Sequence, residues 1–331
     1  MAETKIEWCD YTFNPWRGCT RVSDGCTHCY AATMSKRNPK TLGVWGPGGT
    51  RVVASARYWR LLGEWEKKSQ QRFIDWSMDP QRGSQCERQR VFVASMADVF
   101  EDWQGILVDH EGHELVKIDA RFVAIRINEH EPPLRLCHVR GRLFNEIAAA
   151  PNLDFLLLTK RPESFKTMLP WTNPKDQTGQ PFPNVWLGVS VEDQKTKWRI
   201  DVLQVTPAAI RFLSLEPLLE DLGELDLRGI HWVIIGGESG PHARPCNVAW
   251  ILAIMRQCRE AGVSCFVKQL GAVVHCENDT ASEWFDTVGY LQLGPTEAWQ
   301  GAIGRVTGFR DKKGGSMVEW PTDLRVREFP K

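Results

Sequence analysis

What the chain lacks narrows the field first. It has no net charge: 41 Lys and Arg balance 41 Asp and Glu across 331 residues. A uniformly basic surface for nucleic acid or a lipid headgroup layer is therefore excluded, although a local basic groove is not. No apolar run approaches the ~20 residues that span a bilayer as a helix. Met1-Ala2-Glu3-Thr4-Lys5 is not a secretory signal. These absences predict a cytoplasmic protein with no membrane partner. The ten cysteines follow no framework spacing, so reduced thiols are expected rather than disulfides. Walker and G-x-G-x-x-G motifs are missing, which gives no ground for a nucleotidase or a dehydrogenase. No internal repeat or low-complexity tract is evident.

What is present is ordinary in bulk and unusual in one place. Hydrophobic residues are 42% and charged residues 25%, values of a globular chain. The length suits a single barrel with additions. Fifteen tryptophans are many; most are expected in the core, and some could line a pocket for a flat substrate.

The unusual place is residues 14–31. Cys19, Cys26 and Cys29 are spaced C-x6-C-x2-C, with a polar, Gly-containing insert from Thr20 to Gly25 that lets the chain fold back around a ligand. Thiolates are soft ligands for zinc, copper(I) or iron–sulfur clusters. Three of them would leave one iron of a four-iron cluster open to a substrate or cofactor. With Cys9 as a fourth ligand, the same residues would make a closed structural zinc site. The cysteines alone leave both readings open.

Elsewhere the chain alternates short apolar runs with helical patterns. The first strand is expected within residues 4–16. Later strands are expected at 91–95, 154–158, 184–189, 210–213, 231–235 and 263–267. Helices are expected near 31–37, 58–65 and 134–149. Another is centred on Trp250, Ile251, Ile254, Met255 and Cys258, with Gly262 as its stop. Residues 66–90 are polar and weakly periodic.

Polar residues recur at the C-terminal ends of the strands. That pattern predicts an α/β fold, a full or partial (β/α) TIM-type barrel whose catalytic face collects those ends. The expected division is a barrel over 1–270, with an insertion at about 105–133, and a C-terminal extension over 271–331 packed on it. The extension carries Gly271, Gly289, Gly294, Gly301, Gly304, Gly308, Gly314 and Gly315. A hairpin is expected around Asp109 to His113.

The cysteine loop resembles that of radical S-adenosylmethionine (SAM) enzymes, and most closely the spore photoproduct lyase-like branch. Loops there read roughly N-P-Y-x-G-C and end in C-x-x-C-Y-A. Asn14-Pro15-Trp16-Arg17-Gly18-Cys19 and Cys26-Thr27-His28-Cys29-Tyr30-Ala31 match these pieces. The chain departs in having three extra residues between its first two cysteines, and His28 where an aromatic residue usually precedes the last. A phage-associated family of uncharacterised radical SAM-like proteins is similar more fully, including the longer gap.

The resemblance implies a [4Fe-4S] cluster on Cys19, Cys26 and Cys29 that cleaves SAM, after which a 5′-deoxyadenosyl radical abstracts hydrogen from the substrate. It implies a partial barrel, an electron donor such as flavodoxin or ferredoxin, and a DNA or RNA substrate undergoing repair or modification. Ser95, Asp98, Lys160 and Ser190 sit at strand ends similar to those that bind SAM in that branch. Gly236 and Gly237 open a Gly-rich turn that suits the ribose–adenine part or an anion. Glu216, Glu238 and Lys268 are expected at the barrel mouth as catalytic or substrate-holding groups. Each of these residues also has a plainer role open to it, as a strand-end cap, a tight turn or an ion pair.

Cys246 is the one other cysteine considered as a reactive thiol. His28 and His242 are expected to be hydrogen-bonding loop residues. Arg51, Arg57, Arg60, Lys67, Lys68 and Arg72, interleaved with Tyr58, Trp59 and Trp65, form a candidate basic–aromatic face for nucleic acid or a solvated helix face. The competing function is a zinc-stabilised, non-catalytic binding protein of a phage or mobile element.

Overall fold

A computed structural model describes residues 4–79, 86–117, 123–125, 132–172, 179–276, 292–294, 304–307 and 309–330. The chain divides into two compact units. One comprises Met1–Val22, Cys29–Leu187 and Thr206–Ala209; the other comprises Ser23–His28, Gly188–Val205 and Ile210–Lys331.

The first unit opens with β1 (Tyr11–Phe13) and β2 (Trp16–Arg17), then α1 (Tyr30–Arg37), α2 (Pro39–Leu42), β3 (Arg51–Val53) and α3 (Ala56–Ser77). It continues through β4 (Gln89–Val93), β5 (Leu107–Val108), β6 (Leu115–Lys117), β7 (Val123–Ile125), α4 (Leu136–Ala148), β8 (Leu153–Thr159) and α5 (Phe165–Met168). β1, β4 and β8 are parallel, with Phe13 beside Val93 and Val91 beside Phe155. Phe13, Val91, Phe92, Val93, Leu153, Phe155, Leu156 and Leu157 are buried, the near-continuous apolar run of a covered parallel sheet.

α3 begins at Ser55, whose hydroxyl accepts the Tyr58 N–H. It buries Trp59, Leu62 and Trp65, and Trp65 stacks on Tyr11 at 4.5 Å between ring centroids. The helix runs well past the expected Trp65. Its later turns are anchored by polar contacts: Ser69 Oγ donates to the Asn152 carbonyl at 2.6 Å, and Glu66 accepts from the Asn152 amide. The expected hairpin is present, with Asp109 N–H donating to the His113 carbonyl and an antiparallel bridge between Val108 and Glu114.

The chain continues with β9 (Val185–Ser190), α6 (Trp198–Val205), β10 (Ile210–Leu215), β11 (Trp232–Gly236), β12 (Cys246–Asn247), α7 (Val248–Ala261) and β13 (Ser264–Gln269). β14 (Val274–Cys276), β15 (Gln292–Gly294) and β16 (Gly304–Thr307) follow. In the second unit β10, β11 and β13 are parallel, with Phe212 beside Trp232 and Ile234 beside Phe266. α7 is capped by Asn247, which accepts the Ala249 N–H, and ends at Gly262 with φ +67°. A left-handed residue there favours glycine. The apolar face of α7 is the expected one: Trp250, Ile251, Ile254, Met255 and Cys258 are buried.

The hydrogen-bonded strand order of the main sheet is β1-β4-β8-β9-β10-β11-β13. This is a mixed α/β fold whose parallel strands follow one another in sequence order, the winding of a partial barrel. No β13–β1 pair closes the sheet among the described residues. Residues 271–331, read from sequence as an extension, supply β14–β16, which join β12 in a second sheet. Their tail lies along β13: Val267 N–H donates to the Val326 carbonyl and Glu328 N–H to the Cys265 carbonyl, both at 2.8 Å. Gly289, Gly301 and Gly308 lie outside the described residues, as do residues 118–122 and 126–131 of the insertion. No described helix is long and apolar enough to cross a membrane.

Candidate metal centre

The approach to Cys19 is built by Asn14. Its Oδ1 accepts the Met96 N–H at 2.7 Å, and its Nδ2 lies 3.0 Å from Ser95 Oγ. Ala94, with φ +63°, turns the chain after β4 so that Ser95 meets Asn14. Gly18 N–H donates to the Met96 carbonyl, and at φ +110° a Cβ on Gly18 would sit 2.5 Å from the Thr50 carbonyl. Glycine is required there for both reasons.

Arg161 lies beside Cys19, its Nη1 3.6 Å from Sγ. Nη1 also donates to Asp98 Oδ2 at 2.9 Å, Nη2 donates to the Thr20 carbonyl, and Nη2 is 3.5 Å from Glu101 Oε1. Glu101 is held in turn by Arg51, Nε to Oε2 at 2.7 Å and Nη2 to Oε1 at 2.8 Å, and it accepts the Thr20 N–H. The Cys19 thiol is pushed up to about 12, by burial first and also by Asp98 and Glu101, with Arg161 working against them. Burial also works against the charge on Arg161, but Asp98, Cys19 and Glu101 outweigh it and hold its pKa above the ordinary value.

Asp98, expected among the SAM-binding residues, is engaged within the first unit. Its oxygens accept from Phe100 N–H, Thr159 Oγ1, Lys160 N–H and Arg161 Nη1. Saturated in this way, it is a brace for Arg161 and for the end of β8.

Cys26 lies in the six-residue segment Ser23–His28 that belongs to the second unit. Ser23 Oγ is 3.9 Å from Cys26 Sγ and donates to Glu192 Oε1 at 3.2 Å. Arg199 Nη1 holds the other oxygen of Glu192 at 2.9 Å. A Cβ on Gly25 would lie 2.5 Å from Glu192 Cγ and Oε1, so only glycine lets the segment lie this close. His28 Nδ1 is 3.0 Å from Glu238 Oε2, and Arg244 grips the same carboxylate from Nη2 and Nε at 2.6 and 3.0 Å. Arg244 Nη1 reaches the Asp24 carbonyl. Glu238 thus anchors the cysteine loop, and His28 is the hydrogen-bonding loop residue expected.

Cys29 occupies the N-cap position of α1. All three loop cysteines are reduced and partly exposed. Thiol sulfur is the donor class that iron–sulfur clusters take, and Cys19 has a guanidinium beside it.

Cys9 is buried and turned toward the Ile6 carbonyl. A tetrahedral zinc needs sulfurs roughly 3.8 Å apart, twice the projection of a 2.3 Å bond. Among the described residues the only three ligand atoms within 4.8 Å of one another belong to Asp109, Glu111 and His113, so Cys9, Cys19 and Cys29 of the first unit are not gathered in that way.

The remaining expected site residues fall into local groups. Lys268 Nζ donates to Glu216 Oε1 at 2.7 Å, and Ser214 Oγ to Glu216 Oε2 at 3.0 Å. The Ser190 side chain is buried and its carbonyl accepts from Arg199 Nη1. Gly237 N–H donates to the Gln269 carbonyl, so it does not point an open amide at a ligand. A Cβ on Gly237 would lie 2.1 Å from the Leu270 carbonyl, and one on Gly236 would lie 3.1 Å from Glu216 Oε1. Close backbone packing accounts for Gly237, whereas Gly236 meets the side chains of Glu216 and Gln269.

Cys246 is fully buried, and that burial pushes its thiol up to about 12. The basic–aromatic face is divided: Trp59, Trp65 and Arg51 are buried, while Arg57, Arg60, Lys67, Lys68 and Arg72 are exposed. The tryptophans belong to the core, because α3 turns its apolar stripe inward.

Sequence reasoning missed Arg161, Glu101, Glu192 and Arg244. The available signal was charge next to a strand end: Arg161 follows the singled-out Lys160, and Glu192 follows Ser190.

A family model described as "Protein of unknown function (DUF5131)" matches residues 3–110 and 136–313. The gap between the two matched stretches overlaps the segment read as an insertion. No curated protein and no solved structure matches the chain.

Proposed function

Because the chain belongs to the DUF5131 family, whose description leaves function open, we propose a function from the residues themselves: a radical SAM enzyme. Cys19, Cys26 and Cys29 would hold a [4Fe-4S] cluster. The observation that carries the reading is the cysteine loop itself. Its three thiols are reduced and partly exposed, and Arg161 faces the first. When bound, the cluster would supply the electron that cleaves SAM to methionine and a radical able to take hydrogen from a substrate.

The chain's own residues orient and enclose. Asn14 and Arg161 fix the first arm of the loop; Glu192, Glu238 and Arg244 fix the segment that bears Cys26. Ser95, Lys160 and Ser190 are assigned to the methionyl group of SAM, where a carboxylate calls for cation and hydroxyl donors. Glu216 and Lys268 are assigned to the substrate. DNA or RNA is the proposed substrate class, on the resemblance and on the exposed cations of α3. The electron donor is of the flavodoxin or ferredoxin class.

Anaerobic reconstitution with iron and sulfide tests the reading. The expected protein is brown, holds about four irons per chain, and yields 5′-deoxyadenosine from SAM on reduction. Protein that takes up no iron overturns it. One tightly bound zinc per chain, insensitive to air and lost in Cys9→Ser, would put the zinc-stabilised binding protein in its place.

A further inference from the structure

Resting on the cluster reading, we propose that Arg161 is a positioning residue that raises the reduction potential of the cluster through its N–H bond to the Cys19 sulfur. Its guanidinium is nearly enclosed and held on three sides. Nη1 is shared between Asp98 Oδ2 and Cys19 Sγ, while Nη2 faces the Thr20 carbonyl and Glu101. The planar fork thus spans Cys19 and the next peptide, fixing the sulfur and the loop together. Lysine, a point charge on a flexible stem, could not reproduce that geometry.

Reduction adds one electron, so the cluster and its thiolates become more negative by one charge. Hydrogen bonds to the sulfurs and fixed positive charge favour the more negative state and raise the potential. Asp98 opposes this, because its carboxylate lies against the same nitrogen. The two residues therefore make opposite predictions. Removing the cation lowers the potential, whereas neutralising the carboxylate raises it. A guanidinium acting by charge alone would give the same two shifts, but lysine would then restore the wild-type potential, so Arg161→Lys separates the bond from the charge.

The test uses full-length protein reconstituted with iron and sulfide, with no SAM present. It is titrated anaerobically with dithionite and mediators, and the reduced cluster is read by electron paramagnetic resonance. Arg161→Met is expected to hold wild-type iron and sulfide and to shift its reduction equilibrium about tenfold toward the oxidised form, 59 mV for one electron. Arg161→Lys falls between Met and wild type. Asp98→Asn shifts the other way, and Arg161→Lys, which keeps the buried charge, carries the test if Arg161→Met does not fold. Loaded variants with the wild-type potential overturn the inference and leave the cluster reading standing. Wild-type protein that binds no iron overturns both.

Discussion

Arg51 and Glu101 face each other as a two-pronged ion pair, with side chains 0% and 3% exposed. Arg51 also lies over the Trp103 ring, 3.9 Å from its centroid, and donates to Thr20 Oγ1. Removing one partner leaves a buried charge uncompensated. Arg51→Met or Glu101→Gln is therefore expected to destabilise the protein by about 3–5 kcal/mol, read as a lower urea midpoint. If the pair acts as a unit, the double variant loses clearly less than the sum of the two.

Gly25 gives a local prediction about the cysteine segment. Gly25→Ala drives a methyl group into Glu192, which Arg199 and Ser23 hold in place. The expected cost is about 1–3 kcal/mol. Limited proteolysis should cut after Arg21 sooner than in wild type, with the rest of the chain unchanged. Equal protection in both proteins would show that the segment tolerates the displacement.

Glu238 links this segment to pH. Burial alone would raise its pKa, but hydrogen bonds from Arg244 and His28 prevail and hold it below the ordinary 4.5. The unfolded chain therefore binds the proton more readily. The stabilisation is complete above about pH 4.5 and declines as pH falls through the lower folded value. Wild type should exceed Glu238→Gln in stability at pH 7, and the difference should shrink toward pH 3. A difference that is constant over that range would remove the carboxylate from the account.

The C-terminal tail offers a fourth test. Glu328 N–H donates to the Cys265 carbonyl, and the Glu328 carbonyl accepts from Trp232 Nε1 at 2.7 Å. Glu328→Pro removes the first donor and is expected to cost on the order of 1–3 kcal/mol. Hydrogen exchange should accelerate at Val267, whose own N–H bonds to the Val326 carbonyl. Unchanged exchange there would mean that the tail pairs independently of Glu328.

The seven main strands were legible because buried parallel strands are continuous apolar runs with polar ends. Observed strands such as Ile210–Leu215 and Ser264–Gln269 run two residues past the expected C-terminal ends, and the second starts one residue later than expected. α7 was legible from its stripe and its stop at Gly262. The second half of α3 was not, because Ser69 and Glu66 anchor it through Asn152 and leave no apolar period. Lys160 and Arg161 are equally charged neighbours at one strand end; only the turn after β8 decides which faces Cys19. Arg51 read as a surface cation because its partner, Glu101, lies far along the chain in a segment without pattern.

The terminal residues laid against β13 have a consequence for behaviour in concentrated solution. An outermost strand normally offers unsatisfied amides and carbonyls on which a neighbouring molecule can template. Here Val326 and Glu328 already take those positions beside Cys265 and Val267. Sheet-to-sheet polymerisation at this border would first have to peel the tail away, so shielding against fibrillar assembly is built into the fold at that border.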